Sequence, residues 1–136
     1  MSVRIVRLGT PRHPHEGTRI GTVRRPPRGV PRSEFASGDW YDVWYPNLSP
    51  TPELVTRALA AQSDLSAAGE KEWAAFVRGF KAEMKQPDAA RTIALLATLS
   101  QHADFSVGCY CQSEARCHRA ILRELLTDAG ATVENG

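Results

Sequence analysis

Three cysteines and a histidine, Cys109, Cys111, Cys117 and His118, stand within ten residues of one another in a chain of 136 that has no other cysteine. Side chains of these types do two kinds of chemistry. As metal ligands they suit zinc or an iron–sulfur cluster, although Cys-x-Cys-x5-Cys-His is not a standard spacing and all four donors would have to converge within about 2.3 Å of one ion. As catalysts, Cys117 or Cys111 would be the nucleophile and His118 the proton acceptor. A free thiol is only about 3% ionised at neutral pH, and a helix N-terminus with Arg116 and Arg119 nearby would raise that fraction. Arginine follows Cys111 at five and at eight residues, not at the six of a phosphatase loop. A third use needs no covalent step: a helix start capped by Ser113, together with Arg24, Arg28, Arg116 and Arg119, could hold a phosphate or carboxylate, each contact supplying about 0.3–2 kcal/mol. Against all three stands the plain alternative that Cys109 is a small core residue and His118 a hydrogen-bonded core histidine.

The elements around these residues decide which use is open. Residues 105–111, FSVGCYC, read as a buried strand, and alternation along a strand puts Cys109 and Cys111 on one side. Ser113 reads as an N-cap with Glu114 in the first turn of a helix that presents His118, Leu122, Leu125 and Ala129 on one face and stops at Gly130. The cluster then lies beyond the carboxyl end of a strand, where open α/β sheets bind ligands.

The rest of the chain supplies a core. VRIVRL at 3–8 and TRIGTVRR at 18–25 read as strands, the second with Gly21 as a possible bulge. The turn-rich loop between them carries His13 and His15, which read as solvated. Pro26–Arg32 is a proline-stiffened loop that holds Arg25, Arg28 and Arg32 with little entropy left to lose on binding an anion. DWYDVWY at 39–45 reads as aromatic core. Thr51-Pro52-Glu53 starts one helix, residues 70–85 form a second with Trp73, Phe76, Val77, Phe80 and Met84 inward, and Pro87 starts a third. The prediction is one α/β domain over 1–130, a small mixed sheet packed against about four helices, with 131–136 frayed.

Charge is uneven along the chain. Eight arginines against Glu16 alone give residues 1–33 a charge of +7, which leaves −5 for the remainder of a chain whose net charge is +2. Nucleic acid is a possible partner for that basic third, but its aromatic residues are not interleaved with the arginines as stacking platforms would be. No apolar run reaches membrane-spanning length and no secretory pattern opens the chain, so a cytoplasmic location with reduced thiols is expected.

Taken together, Arg24 with Pro27-Arg28-Gly29, Trp44 before Ser49-Pro50-Thr51-Pro52-Glu53-Leu54, the helix bearing Trp73, Phe76, Phe80 and Glu83, and Cys109 with Cys117-His118-Arg119 resemble the domain of unknown function 488 family, in particular its short YeaO-like branch. The resemblance implies a small α/β fold and names no reaction. This chain departs from the family at Val23, where an Asp is frequent, at Pro26, where a Trp is, and at Cys111, where the longer branch tends to carry a carboxylate. The expected function is recognition of a small anion in a crevice between the Pro-Arg-Gly loop and the helix start, with thiol catalysis and nucleic-acid binding as alternatives.

Overall fold

The structure, a computed structural model describing residues 1–135, is built on five short strands: β1 (Val3–Arg7), β2 (Thr18–Gly21), β3 (Val43–Trp44), β4 (Phe105–Cys109) and β5 (Val133–Asn135). Their order across the sheet is β3-β2-β4-β1-β5, and every pairing is parallel, so the expected mixed sheet is instead wholly parallel. Strand β4 lies at the centre with all five residues buried, which is why its sequence is continuously small or apolar rather than alternating. Residues 133–135 are not frayed: they pair with β1 in register Val3 with Val133. No apolar periodicity marks so short an edge strand, and it forms because β1 offers an unpaired edge.

Four helices, α1 (Pro52–Ser63), α2 (Ala67–Met84), α3 (Pro87–Leu99) and α4 (His118–Asp128), cover one side of the sheet. Val3, Ile5, Phe105 and Val107 face them and pack with Phe76, Phe80, Ile93, Leu122 and Leu126 into one core. Trp73, Phe76 and Phe80 stack along α2 at centroid distances of 5.0 and 5.6 Å, as their helical spacing predicts. Among the described residues no helix is long and apolar enough to cross a membrane.

Loops cover the other side. Parallel neighbours normally need a helical crossover, yet β1 reaches β2 through residues 8–17 and β2 reaches β3 through 22–42, with only a turn of 3-10 helix at Arg32–Glu34. Buried Arg19 replaces the missing helix. Its Nε and Nη2 donate to the Glu16 carboxylate at 2.5 and 3.0 Å, and its Nη1 donates to the carbonyls of Thr10 at 2.9 Å and Asp39 at 2.7 Å. Ser106 of β4 donates to the same carboxylate at 2.7 Å. Gly21 is no bulge: it keeps register with Gly108, and a side chain there would overlap the ring of Tyr41, which lies against it.

Burial by itself would raise the Glu16 pKa, but hydrogen bonds from Arg19, Ser106 and the His13 backbone outweigh it and hold the carboxyl below its ordinary value of 4.5. A carboxyl depressed in the folded state stabilises the fold above its unfolded pKa, and that contribution is lost as pH falls through the folded value. Stability measured by urea unfolding is therefore expected to decline as pH drops below 4.5, with the decline attenuated in Glu16→Gln. Arg19→Ala is expected to cost about 3–5 kcal/mol at neutral pH, because it strands a buried carboxylate.

Candidate functional site

Strand β4 ends at Cys109 and α4 begins at His118, later than the Ser113 cap predicted from sequence. The N-cap is Cys117, in extended backbone at φ −118°, ψ 149°, and its Sγ accepts from the N–H of Arg119 at 3.5 Å. Tertiary contact delays the helix. Arg116 takes φ 56° and its guanidinium donates to the carbonyls of Ala61 and Asp64 at the C-terminus of α1, the latter at 2.6 Å, a cation on the negative end of a helix dipole. Ser113 stays exposed and accepts from the Ala115 N–H in the turn before the helix. Arg116 and Ser113 thus shape the corner, and neither lines its cavity.

The sulfurs converge. Cys109 Sγ and Cys117 Sγ lie 2.8 Å apart, both buried, and all three cysteines are free thiols. Cys111, partly exposed, accepts from Gln62 Nε2 at 3.4 Å, while the same amide donates to the Arg116 carbonyl at 2.9 Å. Hydrogen bonds from Cys109, then from Cys117, with a further one from Gln62, pull the Cys111 pKa far below the thiol range against the opposing effect of burial. The cost falls on its donors. Donation to Cys111 and Cys117, with burial, drives Cys109 strongly upward. Cys117 gains from the Cys109 donor, but its own bond to Cys111 and its burial leave it raised to about 11. Of the three sulfurs, the partly exposed Cys111 is thus the one whose ionisation the corner favours.

His118 is buried against the edge of Phe80, at a centroid distance of 5.7 Å. Its Nε2 lies 2.6 Å from the Thr22 carbonyl, which can only accept, so Nε2 carries the proton and the Nδ1 lone pair faces Cys117 Sγ at 4.0 Å. Burial, offset in part by that hydrogen bond, lowers the imidazole pKa to about 4, so the ring is neutral at pH 7. Arg119, also buried, donates from Nη2 to the Cys111 carbonyl at 2.7 Å and leaves its Nε without a partner. Burial acts to lower its pKa, but the sulfurs of Cys109, Cys117 and Cys111 raise it. A fixed cation thus stands behind the three sulfurs.

A cavity of about 450 Å³ opens over this corner, with the three cysteines and His118 on its floor and Val55, Leu59 and Gln62 of α1 as one wall. Arg24 and Arg25 line it too. The Arg24 guanidinium is held at 3.0 and 3.1 Å by the carbonyls of Ser49 and Pro50. Arg28 faces a neighbouring cavity instead, so the expected pairing of the Pro-Arg-Gly loop with the cysteine corner reaches only as far as Arg25. Sequence reading missed Gln62 and Thr22. Their signal is faint: Gln62 is a polar residue adjoining the buried Ala58 and Ala61 of α1. Arg123 does stand six residues after Cys117, but the residues between are helical and Arg123 pairs with Glu114 at 2.6 Å, so they form no phosphate loop.

A parallel α/β sheet with a buried thiol and imidazole cluster at the carboxyl end of its central strand defines the class. Over residues 3–130 the chain matches the family model described as DUF488-N3a, an active DUF488-N3 subclade, and it belongs to the DUF488 family. No curated protein and no solved structure matches it.

With the charge resting on Cys111, thiolate absorbance is expected to show one thiol ionising below about pH 6, within the range of activated cysteines. The other two should ionise only in alkali. Cys111→Ser is expected to remove the low transition, and Gln62→Leu to move it upward. A wild-type chain with three thiols titrating together near their ordinary value would contradict this assignment.

Proposed function

We propose that this protein is a cysteine-dependent enzyme in which the Cys111 thiolate bonds to an electrophilic atom of a small substrate held in the cavity above it. As that bond forms, the atom's bond to a leaving group breaks, the leaving group taking the bonding electrons and a proton from water at the open side of the cavity. One arrangement carries the reading: a partly exposed sulfur, Cys111, lines the cavity and accepts from the Gln62 amide at 3.4 Å, with two buried thiols 2.8 Å apart behind it, and its pKa is lowered there. His118, whose free Nδ1 faces Cys117 at 4.0 Å and whose tautomer Thr22 selects, is a positioning residue that orients the Cys117 thiol. Arg24 and Arg25 are the groups that recognise an anionic part of the substrate, a phosphate or carboxylate, while Val55 and Leu59 exclude water from the reacting atoms. Three free thiols suit a reducing compartment, the cytoplasm.

Paired alkylating agents test both halves of the reading. Cys111 is expected to react with iodoacetamide at pH 6 at least about tenfold faster than a free cysteine, since free thiol is almost wholly protonated there. Anionic iodoacetate should be favoured over iodoacetamide relative to a free thiol, and Arg24→Ala should abolish that preference without slowing iodoacetamide. Ordinary reactivity at Cys111 would remove the catalytic reading, and no preference for the anion would remove the recognition reading.

A second reading is favoured by the tautomer of His118. Cys109 Sγ, Cys117 Sγ and His118 Nδ1 lie within 4.8 Å of one another, and an imidazole whose far N–H is tied to a carbonyl is how ligating histidines are held. Three such donors suit zinc or an iron–sulfur cluster, and Cys111 lies outside their group. Under this reading reduced protein binds one equivalent of zinc, and chelation lowers its melting temperature sharply, since a structural ion adds on the order of 10 kcal/mol to folding. Purified protein without metal, and without a zinc-induced rise in melting temperature, would leave the thiol enzyme alone.

A further inference from the structure

Beside the thiol cavity lies another of about 540 Å³, lined by Arg7, Arg25, Arg28, Trp40 and Tyr110 together with short loop residues. Its charge is unbalanced. Of the other arginines of the first third, Arg12 pairs with Asp39 and Asp42, Arg19 with Glu16 and Arg4 with Glu134, while Arg24 lies on the carbonyls of Ser49 and Pro50 and Arg32 lines a different cavity. Among the described residues Arg7, Arg25 and Arg28 make no ion pair, and no carboxylate lines the cavity they share.

The aromatic residues missing from this stretch of sequence are supplied by the fold. Trp40 comes from the loop before β3, its ring close against Gly9, and Tyr110 from the end of β4. Their rings meet edge to face at 6.0 Å and an interplanar angle of 69°. The Arg7 side chain is held beside Tyr110 by a hydrogen bond from Nε to the Tyr110 carbonyl at 3.4 Å. Arg28 sits on a loop stiffened by Pro26, Pro27 and Pro31, next to Gly29 at φ 76°, so little freedom remains for it to lose on binding.

Topology marks the same place. From β1 the chain crosses β4 to reach β2, whereas from β4 it passes through α4 and crosses β1 to reach β5. The connections leaving neighbouring β1 and β4 therefore pass over each other's strand, the first on the loop-covered face of the sheet and the second on the helix-covered face. The crevice beyond the carboxyl ends of strands is where open parallel sheets bind ligands. Arg7 ends β1 and Tyr110 follows β4.

Unpaired arginines around aromatic faces are the chemistry of a phosphate joined to a flat heterocycle. We infer that this cleft binds a nucleoside phosphate, with the base against Trp40 and Tyr110 and the phosphate on Arg25 and Arg28. Arg25 and Tyr110 line both cavities, and the Tyr110 hydroxyl donates to the Arg25 carbonyl at 2.7 Å. The inference thus deepens the enzyme reading by naming a substrate class for Cys111, and it rests on that reading only for this last link, since binding needs no thiol.

Adenosine monophosphate, ribose 5-phosphate, inorganic phosphate and a short single-stranded oligonucleotide are titrated by calorimetry and by tryptophan fluorescence. The mononucleotide is expected to bind at least tenfold tighter than ribose 5-phosphate and to quench fluorescence. Arg28→Ala, at an exposed position, should weaken it about tenfold, and Trp40→Leu should abolish the quench. A ligand that is part of a strand would show as an oligonucleotide binding tighter than the mononucleotide with the same Arg28 dependence. Cys111→Ser should bind as wild type does, and ordinary Cys111 reactivity in a wild-type chain that still binds the mononucleotide would count against the enzyme alone. Mononucleotide and oligonucleotide binding no tighter than ribose 5-phosphate, or binding unchanged in Arg28→Ala, overturns the inference.

Discussion

The structure depends on one buried ion pair. A parallel sheet with helices on one face only leaves its other face to be closed by loops, and loops carry backbone groups that need partners when they are buried. Arg19 supplies them. Fixed by Glu16, which β4 also engages through Ser106, its guanidinium holds the carbonyls of Thr10 and Asp39 and so ties the loop after β1 to the loop before β3. Gly9 and Trp40 belong to those loops, so the walls of the arginine-lined cleft are held by an interaction that makes no contact with any ligand. Removing either partner of such a pair costs far more than the pair itself contributes, because the survivor is left charged and unsolvated.

Opposite that clamp, the cysteine corner depends on a second long-range constraint. Arg116 docks on the last carbonyls of α1, and Gln62 from the same turn reaches both the Arg116 carbonyl and Cys111. Helix α1 therefore fixes the turn that aims the sulfurs as well as walling their cavity. Within the corner the three thiols behave as one acid. A charge on any one of them is stabilised by S–H donation from the others and opposes ionisation of those others. The outcome favours the sulfur with the least desolvation and an additional amide donor.

Much of the fold was legible because it rests on local rules. Pro52 and Pro87 after their caps, the aromatic stripe of α2 and the continuously small or apolar β4 each name their element without help from distant residues. Cys109 and Cys111 line one cavity, but the strand expected over 105–111 ends at Cys109 and Cys111 stands in the loop beyond it. Misreadings arose where distant contacts overrule local preference. Ser113 satisfies every local requirement of an N-cap, yet Arg116 is pulled to α1 and the helix waits for Cys117. Residues 133–135 have no pattern of their own and become a strand because β1 has a free edge. Gly21 suggested a bulge but serves to admit the Tyr41 ring.

By itself the sequence determined the element types, the reduced state expected of three crowded thiols, the arginine excess of the first third and membership of a family recognisable from ordered motifs. Only the tertiary structure decided which of those groups meet. It made the sheet wholly parallel, gave Arg24 and Arg28 to different cavities, brought Trp40 and Tyr110 among arginines that lack aromatic neighbours in the chain, and chose Cys111 to carry the charge. Periodicity and capping are written in residues three or four apart, whereas the pKa of a thiol and the neutralisation of an arginine depend on atoms within a few ångströms that arrive from anywhere in the chain.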